Sequence, residues 1–341
     1  MDVAVVGAGV VGLAIARELG ERGACVTVFE RSGIGAGASG VQPGGVRRQW
    51  GTDVACRLAS ESAAFYAHAD QLLGSRVPLG FRPCGYLFLA HSEETLRRLE
   101  ENVRLQNALG VPSRIVAAPE AGELVPGLLT ETVTGGSWCA EDGYFDRPQS
   151  VVEAFARGLD VRIETVRSLG DLAAEAVVVA AGADTPGLLP GLPIRREERY
   201  LFYSEPIAER LLEPLVVSAE RHFAAKQLGN GRVLAGDLAG CDLAHVRRTI
   251  DELLPILTYV SFPLLVQGAY DVTPDHQPII GEVDDGLWVA AGFSGHGFMI
   301  APAVARIVAD AIVDGRRDDA LDVLDAGRFA EGRAVPEPQL V

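Results

Sequence analysis

Gly7, Gly9 and Gly12 form a GxGxxG run, and Glu30 lies 18 residues beyond its last glycine. This spacing suits a dinucleotide. Gly7 allows a tight turn, Gly9 lets the backbone approach a pyrophosphate, and Gly12 allows a helix to sit close on a strand. Amides at the start of that helix, those of Val10 and Val11 among them, hold the phosphates with the positive end of the helix dipole, so no cationic side chain is needed. Glu30 would accept hydrogen bonds from the adenosine ribose and repel a 2′-phosphate. Glycine triplets also occur in ordinary turns, so the surroundings decide. DVAVV over residues 2 to 6 predicts a buried strand, VGLAIARELGER over 11 to 22 a helix, and CVTVFE over 25 to 30 a second strand ending on Glu30. Strand, helix, strand within 30 residues is a βαβ unit, which requires a parallel sheet covered on both faces.

The fingerprint alone does not separate FAD from NAD. After Arg31 comes SGIGAGASGVQPGGVRRQW, with glycines at 33, 35, 37, 40, 44 and 45. Such a segment is either a flexible surface loop or backbone that something long approaches closely, and the second reading favours the longer cofactor. Two further strands, AVVVAA at 176 to 181 and LWVAA at 287 to 291, end at Gly182 and Gly292 and read as later returns to the same sheet. Between the first unit and these returns, SEETLRRLEENVRLQNAL at 92 to 109 predicts a charged amphipathic helix closed by Gly110 and Pro112. GYLFLA at 85 to 90, YLFYS at 200 to 204 and RVLA at 232 to 235 predict short strands. A last helix is expected over 300 to 313.

The fold class is therefore α/β. A Rossmann-like FAD-binding domain, a parallel sheet with helices, is expected over 1–78, 143–190 and 284–330. An inserted, mainly antiparallel α+β substrate domain occupies 79–142 and 191–283, and 331–341 is expected to be a loose tail.

Length and charge exclude other classes. The 341 residues exceed a disulfide-stapled miniprotein, and 30 basic against 46 acidic side chains give a formal charge of −16. Lys226 is the one lysine among the basic residues, and the arginines are scattered from Arg17 to Arg333. Nucleic acid and anionic membranes are excluded as partners by that distribution. Cys25, Cys56, Cys84, Cys139 and Cys241 are odd in number and include no CxxC pair, which fits neither a disulfide framework nor a zinc site. A reducing cytoplasm and no metal are expected. The apolar start lacks the basic region of a signal peptide, and no transmembrane segment is indicated.

The Glu30 to Trp50 stretch, YDVTPDHQPIIG at 270 to 281 and AGFSGHGFMIAP at 291 to 302 together resemble the D-amino-acid-oxidase superfamily. The likeness is to the branch holding glycine oxidase, sarcosine oxidase and the β subunits of heterotetrameric sarcosine oxidase and L-proline dehydrogenase. It covers nearly the whole chain, and DGYFDRP at 142 to 148 is similar to a family DGxxDP element. The stretch from Phe155 to Ala181 looks shorter than its family counterpart. The resemblance implies that Gly292, Ser294, Gly295, His296, Gly297, Phe298 and Met299 form an amide nest at the pyrimidine edge of the flavin. Ala38, Ser39, Gly40, Gly44, Gly45 and Val46 would line its other side, and Ala181 and Gly182 would border the cofactor chain. A helix N-terminus in that place stabilises negative charge on the reduced ring. Pro302 is expected in the first helical turn, where no hydrogen bond is forfeited. Where some members attach flavin through a cysteine this chain has Gly268, which implies noncovalent FAD.

An amino-acid substrate presents a carboxylate, which suits a bidentate guanidinium. Arg47 and Arg48, just after the flavin-facing glycines, are the expected anchors, with ion pairing to acidic neighbours as the alternative. Glycine oxidases have an arginine where this chain has Tyr270, which argues against glycine itself as substrate. Tyr270 and His296 are further candidates for the reacting centre, and Tyr203, His222 and Phe223 for the cavity wall or simple packing. Monomeric sarcosine oxidases use a lysine near the flavin for the oxygen reaction, but Lys226 does not align with it and is expected on a solvated loop. The expected activity is oxidation of a secondary or N-substituted amino acid to an imine, with dioxygen reduced to hydrogen peroxide. A dehydrogenase of the L-proline type, passing electrons to a partner, a non-catalytic flavoprotein in a homo- or hetero-oligomer, and an NAD enzyme remain open at this point.

Overall fold

The computed structural model describes residues 1–339. Asp2–Val6 is buried from Val3 onward and pairs in parallel with Cys25–Glu30 on one side and Ala176–Val179 on the other. Asp160–Ile163 and Leu287–Ala291 extend the parallel array at its two ends, and Ile279–Asp284 closes one edge antiparallel. That last strand lies in the span expected for the second domain, yet the first sheet claims it. Its Ile279 and Ile280 are buried there, and the chain turns directly into Leu287–Ala291.

The helix Val10–Glu21 buries Leu13, Ile15 and Leu19, each worth about 1.5–3 kcal/mol in removed apolar surface. It packs on Gly297–Asp314, whose Ile300, Val304, Ile307 and Val308 are also buried. This longer helix starts three residues before the expected Ile300, so Pro302 falls in its second turn rather than its first. A proline there leaves the Phe298 carbonyl without its helical donor. Tyr66 supplies the replacement, its hydroxyl donating to Phe298 O at 2.5 Å, and Ser62 Oγ accepts from the next amide, Ala303 N, at 3.1 Å. Burial holds the Tyr66 phenol protonated, as a donor must be.

A second, eight-stranded sheet runs from Leu264–Val272 through Arg195–Tyr203, Val233–Asp237, Phe223–Gln227, Leu215–Ser218, Tyr86–Ala90 and Gly135–Cys139 to Arg114–Ala117. Its pairs are antiparallel except Leu215–Ser218 with Tyr86–Ala90. Arg195–Tyr203 is longer than the run at 200 to 204 suggested, because it pairs along its whole length with Leu264–Val272. The helix Glu93–Ala108 lies on this sheet and starts at Ser92, whose Oγ accepts from Thr95 N at 3.2 Å. Gly45–Val46, Gly143–Phe145 and Phe81–Arg82 form a small third sheet. It carries the glycine-rich loop from the first sheet to the second.

The expectation of a loose tail fails as far as Gln339; residues 340 and 341 lie outside the described residues. Glu337 is buried and accepts from Gly51 N and Thr52 Oγ1, both at 2.7 Å, at the start of the helix Asp53–Ala67. A carboxylate suits a helix N-terminus. Upstream, Arg328 and Asp275 form a buried bidentate pair, with N–O distances of 2.8 and 2.9 Å. Among the described residues no helix is long and apolar enough to cross a membrane.

Removing the Tyr66 hydroxyl leaves the Phe298 carbonyl buried and unpaired, which costs about 1–3 kcal/mol. Tyr66→Phe should lower the urea midpoint accordingly with an unchanged denaturant slope; an unchanged midpoint would show that the bond bears no load.

Candidate active site

The fingerprint is assembled as its spacing requires. A Cβ on Gly12 would lie 2.1 Å from Gly7 O, so only glycine allows this helix to rise so close to the turn. Glu30 reaches back into the turn, accepting from Ala8 N at 3.0 Å and Ser32 N at 2.9 Å. Ser39 Oγ accepts from Val10 N at 2.9 Å, and its Oγ lies where a Cβ on Gly9 would crowd it. Val11 and Gly12 follow within the first turn, where helix geometry gives amides no acceptor of their own. The strand Ala176–Val179 delivers Ala181 and Gly182 beside Gly7, and Arg31 pairs with Asp184 at 2.7 Å across that opening. These residues form one end of the site.

The other end is the turn between Leu287–Ala291 and Gly297–Asp314. Asp271 fixes it, its Oδ2 accepting from Gly292 N at 2.7 Å and its carbonyl from Ser294 N at 2.9 Å. Burial pushes the Asp271 carboxyl up to about 6. Gly295 sits at φ +90, and a Cβ there would lie 2.3 Å from the Tyr270 ring, so this position admits glycine on both counts. His296 precedes the helix, is buried, and meets Trp50 edge to face with ring centroids 4.5 Å apart. Burial holds its imidazole well below the usual range, hence neutral near pH 7.

Between these ends and the second sheet lies an open cavity, with about 1100 Å³ of empty space counted out into solvent. Of the residues singled out in the sequence, Ala38, Gly45, Tyr270, Gly295, His296, Phe298 and Met299 line it. Gly40, Gly44 and Val46 support that wall from behind: Gly40 O accepts from Gln149, Gly44 O from Phe145 N, and Val46 is buried. Gly292, Ser294 and Gly297 complete the turn but are not among its lining. The remaining walls are mostly apolar, including Leu201, Leu215, Ala224, Leu234 and Val266.

Two cationic residues line the cavity: Arg199, which the sequence reading does not single out, and Lys226, which it considers and sets aside. Lys226, expected on a solvated loop, is 2% exposed in the middle of Phe223–Gln227. Its ammonium donates to the Pro43 carbonyl and sits 3.9 Å from the Tyr144 ring centroid. Desolvation pushes it down to about 7. Strand alternation was the available signal: Ala224 and Lys226 are two apart and so share a face, and both line the cavity.

Arg47 and Arg48 are not where a substrate anchor must be. Arg47 is fully buried, its guanidinium 3.7 Å from the Trp50 centroid and bonded to the carbonyls of Gln49 and, at 2.7 Å, Gln339. Arg48 pairs with Glu141 at 2.7 Å and Asp142 at 3.3 Å. Neither lines the cavity. Nor do Tyr203, His222 and Phe223: Phe223 belongs to a hydrophobic core, Tyr203 packs at the edge of another, and His222 ends a short turn at φ 48. Among the described residues no group of His, Cys, Asp and Glu is placed to hold a metal.

Residues 2–311 match the DAO family, described as FAD dependent oxidoreductase. The chain belongs to this family. It is 26% identical to the glycine oxidase of Geobacillus kaustophilus, over 94% of this chain and 95% of that protein. It is also 26% identical to the sarcosine oxidase subunit beta of Rhodobacter capsulatus, over 98% and 90% of the two chains. The crystal structure of L-proline dehydrogenase from P. horikoshii superposes with a TM-score of 0.89 at 27% identity, covering 97% of this chain and 98% of that one. NAD is thereby set aside, and the site fits FAD on its own geometry. The glycine turns leave backbone open at both ends, and the cavity beside the second turn is lined mostly by apolar side chains, as a planar ring system requires. No cysteine lines it.

Glu30→Ala removes the acceptor that holds Ala8 N and would hold the ribose. Its Kd for FAD, followed by quenching of flavin fluorescence on adding apoprotein, should rise about 10- to 100-fold. An unchanged Kd would mean the adenosine lies elsewhere.

Proposed function

We propose that the chain is an oxidase of secondary or N-substituted amino acids, N-alkylglycines among them, with noncovalent FAD and dioxygen as acceptor, acting in the cytoplasm. One observation carries the reading: Gly295, His296 and Phe298 of the amide turn, with Tyr86, Tyr270 and the buried Lys226, converge on a single, largely apolar cavity. FAD bound there supplies a hydride acceptor for the substrate Cα–H and two electrons for dioxygen, giving an imine that water hydrolyses and hydrogen peroxide.

The chain's own residues prepare the substrate and the charges. Hydride leaves only from a neutral amine, and an amine entering this cavity meets the same desolvation that brings Lys226 down to about 7. No strong base is required of the protein. His296 is neutral and held against Trp50, so it adds shape rather than charge at the turn. The helix start at Gly297 faces negative charge with its amides, and the Pro302 gap is sealed by Tyr66 so that the turn stays rigid. With a flavin in the cavity, Lys226 would present an ammonium from its wall, and a cation in an apolar site stabilises negative charge that develops as dioxygen is reduced. The absence of cysteine from the lining supports a noncovalent cofactor.

A second reading follows from the likeness to L-proline dehydrogenase: electrons pass to a partner protein rather than to oxygen. Lys226 separates the two. Lys226→Met should slow oxygen consumption about 100-fold, while anaerobic bleaching of the flavin by an N-alkylglycine changes less than about threefold. The ammonium predominates below pH 7 and is lost above it, so in wild type the oxygen half of the reaction should slow as pH rises through about 7. No peroxide under air, with fast dye reduction, would favour the dehydrogenase; no bleaching by any amine would reject both.

A further inference from the structure

Resting on that reading of the cavity, we infer that Arg199 together with the Tyr270 hydroxyl holds the substrate carboxylate, with the apolar group of the substrate against Leu201, Leu234 and Val266. Arg199 lies in Arg195–Tyr203 directly across from Gly268, and the Val41 side chain fills the place that a Cβ there would take. Its guanidinium lies 5.2 Å from the Tyr270 ring centroid, an aromatic platform that holds a planar cation in one orientation. Two anchors fix it further: Nη2 donates to Glu197 Oε2 at 2.6 Å and Nη1 to the Glu198 carbonyl at 3.1 Å. Five N–H donors minus these two leave three, and Nε has no partner among the described residues. The Tyr270 hydroxyl likewise makes no hydrogen bond to a described residue, although the ring packs closely on Gly295.

The other charged groups lining the cavity fit this role less well. Lys226 is a point charge already committed to Pro43 and Tyr144, whereas a guanidinium offers a carboxylate two parallel bonds and keeps its charge at every working pH. Asp237 has the wrong sign and accepts from Ala239 N at 3.0 Å and Asp242 N at 3.1 Å. Arg199 thus takes the part that the sequence suggested for Arg47 and Arg48. The distribution also sets the substrate class: an amino carboxylate whose substituent is apolar and larger than methyl, because Leu201 and Val266 face each other in register beside Arg199.

Phenylacetate and phenylacetamide, which cannot be oxidised by this chemistry, separate carboxylate recognition from turnover. On the FAD-loaded protein, calorimetric titration should show phenylacetate binding at least about 10-fold more tightly than the amide. Arg199→Met should abolish that preference while retaining FAD, Arg199→Lys should keep part of it, and Tyr270→Phe should reduce it without moving the Kd for the amide. An Arg199→Met protein that holds FAD and still prefers phenylacetate would overturn the assignment, as would a wild type with no preference. These titrations stand apart from turnover: if no amine bleaches the flavin yet the preference follows Arg199, the oxidase reading fails and the anchor survives.

Discussion

Everything in the site depends on two helices from opposite ends of the chain lying with their N-termini side by side. Gly297 stands so close to Val11 that a Cβ there would lie 3.4 Å from Val11 Cγ2. The first helix is seated on its turn by Gly12, the last by Asp271 and the Tyr66 bond to Phe298. Each N-terminus presents unpaired amides and a partial positive charge. A molecule with phosphates at one end and an electron-accepting ring at the other can use both at once. That pairing, rather than any cationic side chain, explains how a protein of formal charge −16 can bind a polyanionic cofactor.

The remaining charges are few and buried for a reason. An apolar cavity weakens every protonated amine placed in it, substrate or lysine, and it makes each fixed charge act over a longer reach than in water. Lys226 and Arg199 sit on different walls, one on Phe223–Gln227 and one on Arg195–Tyr203, so a carboxylate can be held without occupying the lysine. The second sheet is the frame that keeps them apart. Its long pair of strands also carries Tyr270 to the turn at Gly295, so that substrate wall and flavin wall share one residue.

What was legible in the sequence was local. Strand, turn, helix, strand and Glu30 lie within 30 residues, and their contacts are with one another. The nest at 292 to 299 was legible because the motif is contiguous. Arg47 and Arg48 misled because nearness in sequence to a glycine loop does not say which way a side chain turns; the main-chain carbonyl of Gln339 and the stacking of Trp50 draw Arg47 away. Arg199 is set by its register with Gly268, 69 residues on, and Lys226, though its strand partner Leu234 is near in sequence, finds the Pro43 carbonyl 183 residues away. Pro302 and the docked tail are of the same kind, since Tyr66 and Glu337 find their partners 232 and 286 residues away.

The most direct test of the account is the colour of the protein. Purified under native conditions, it should carry a flavin absorbance band near one equivalent per chain, and acid precipitation should release that flavin to the supernatant as intact FAD. A colourless protein that takes up no FAD, or a flavin that precipitates with the chain, would contradict the claim that two helix N-termini hold the cofactor without a covalent bond.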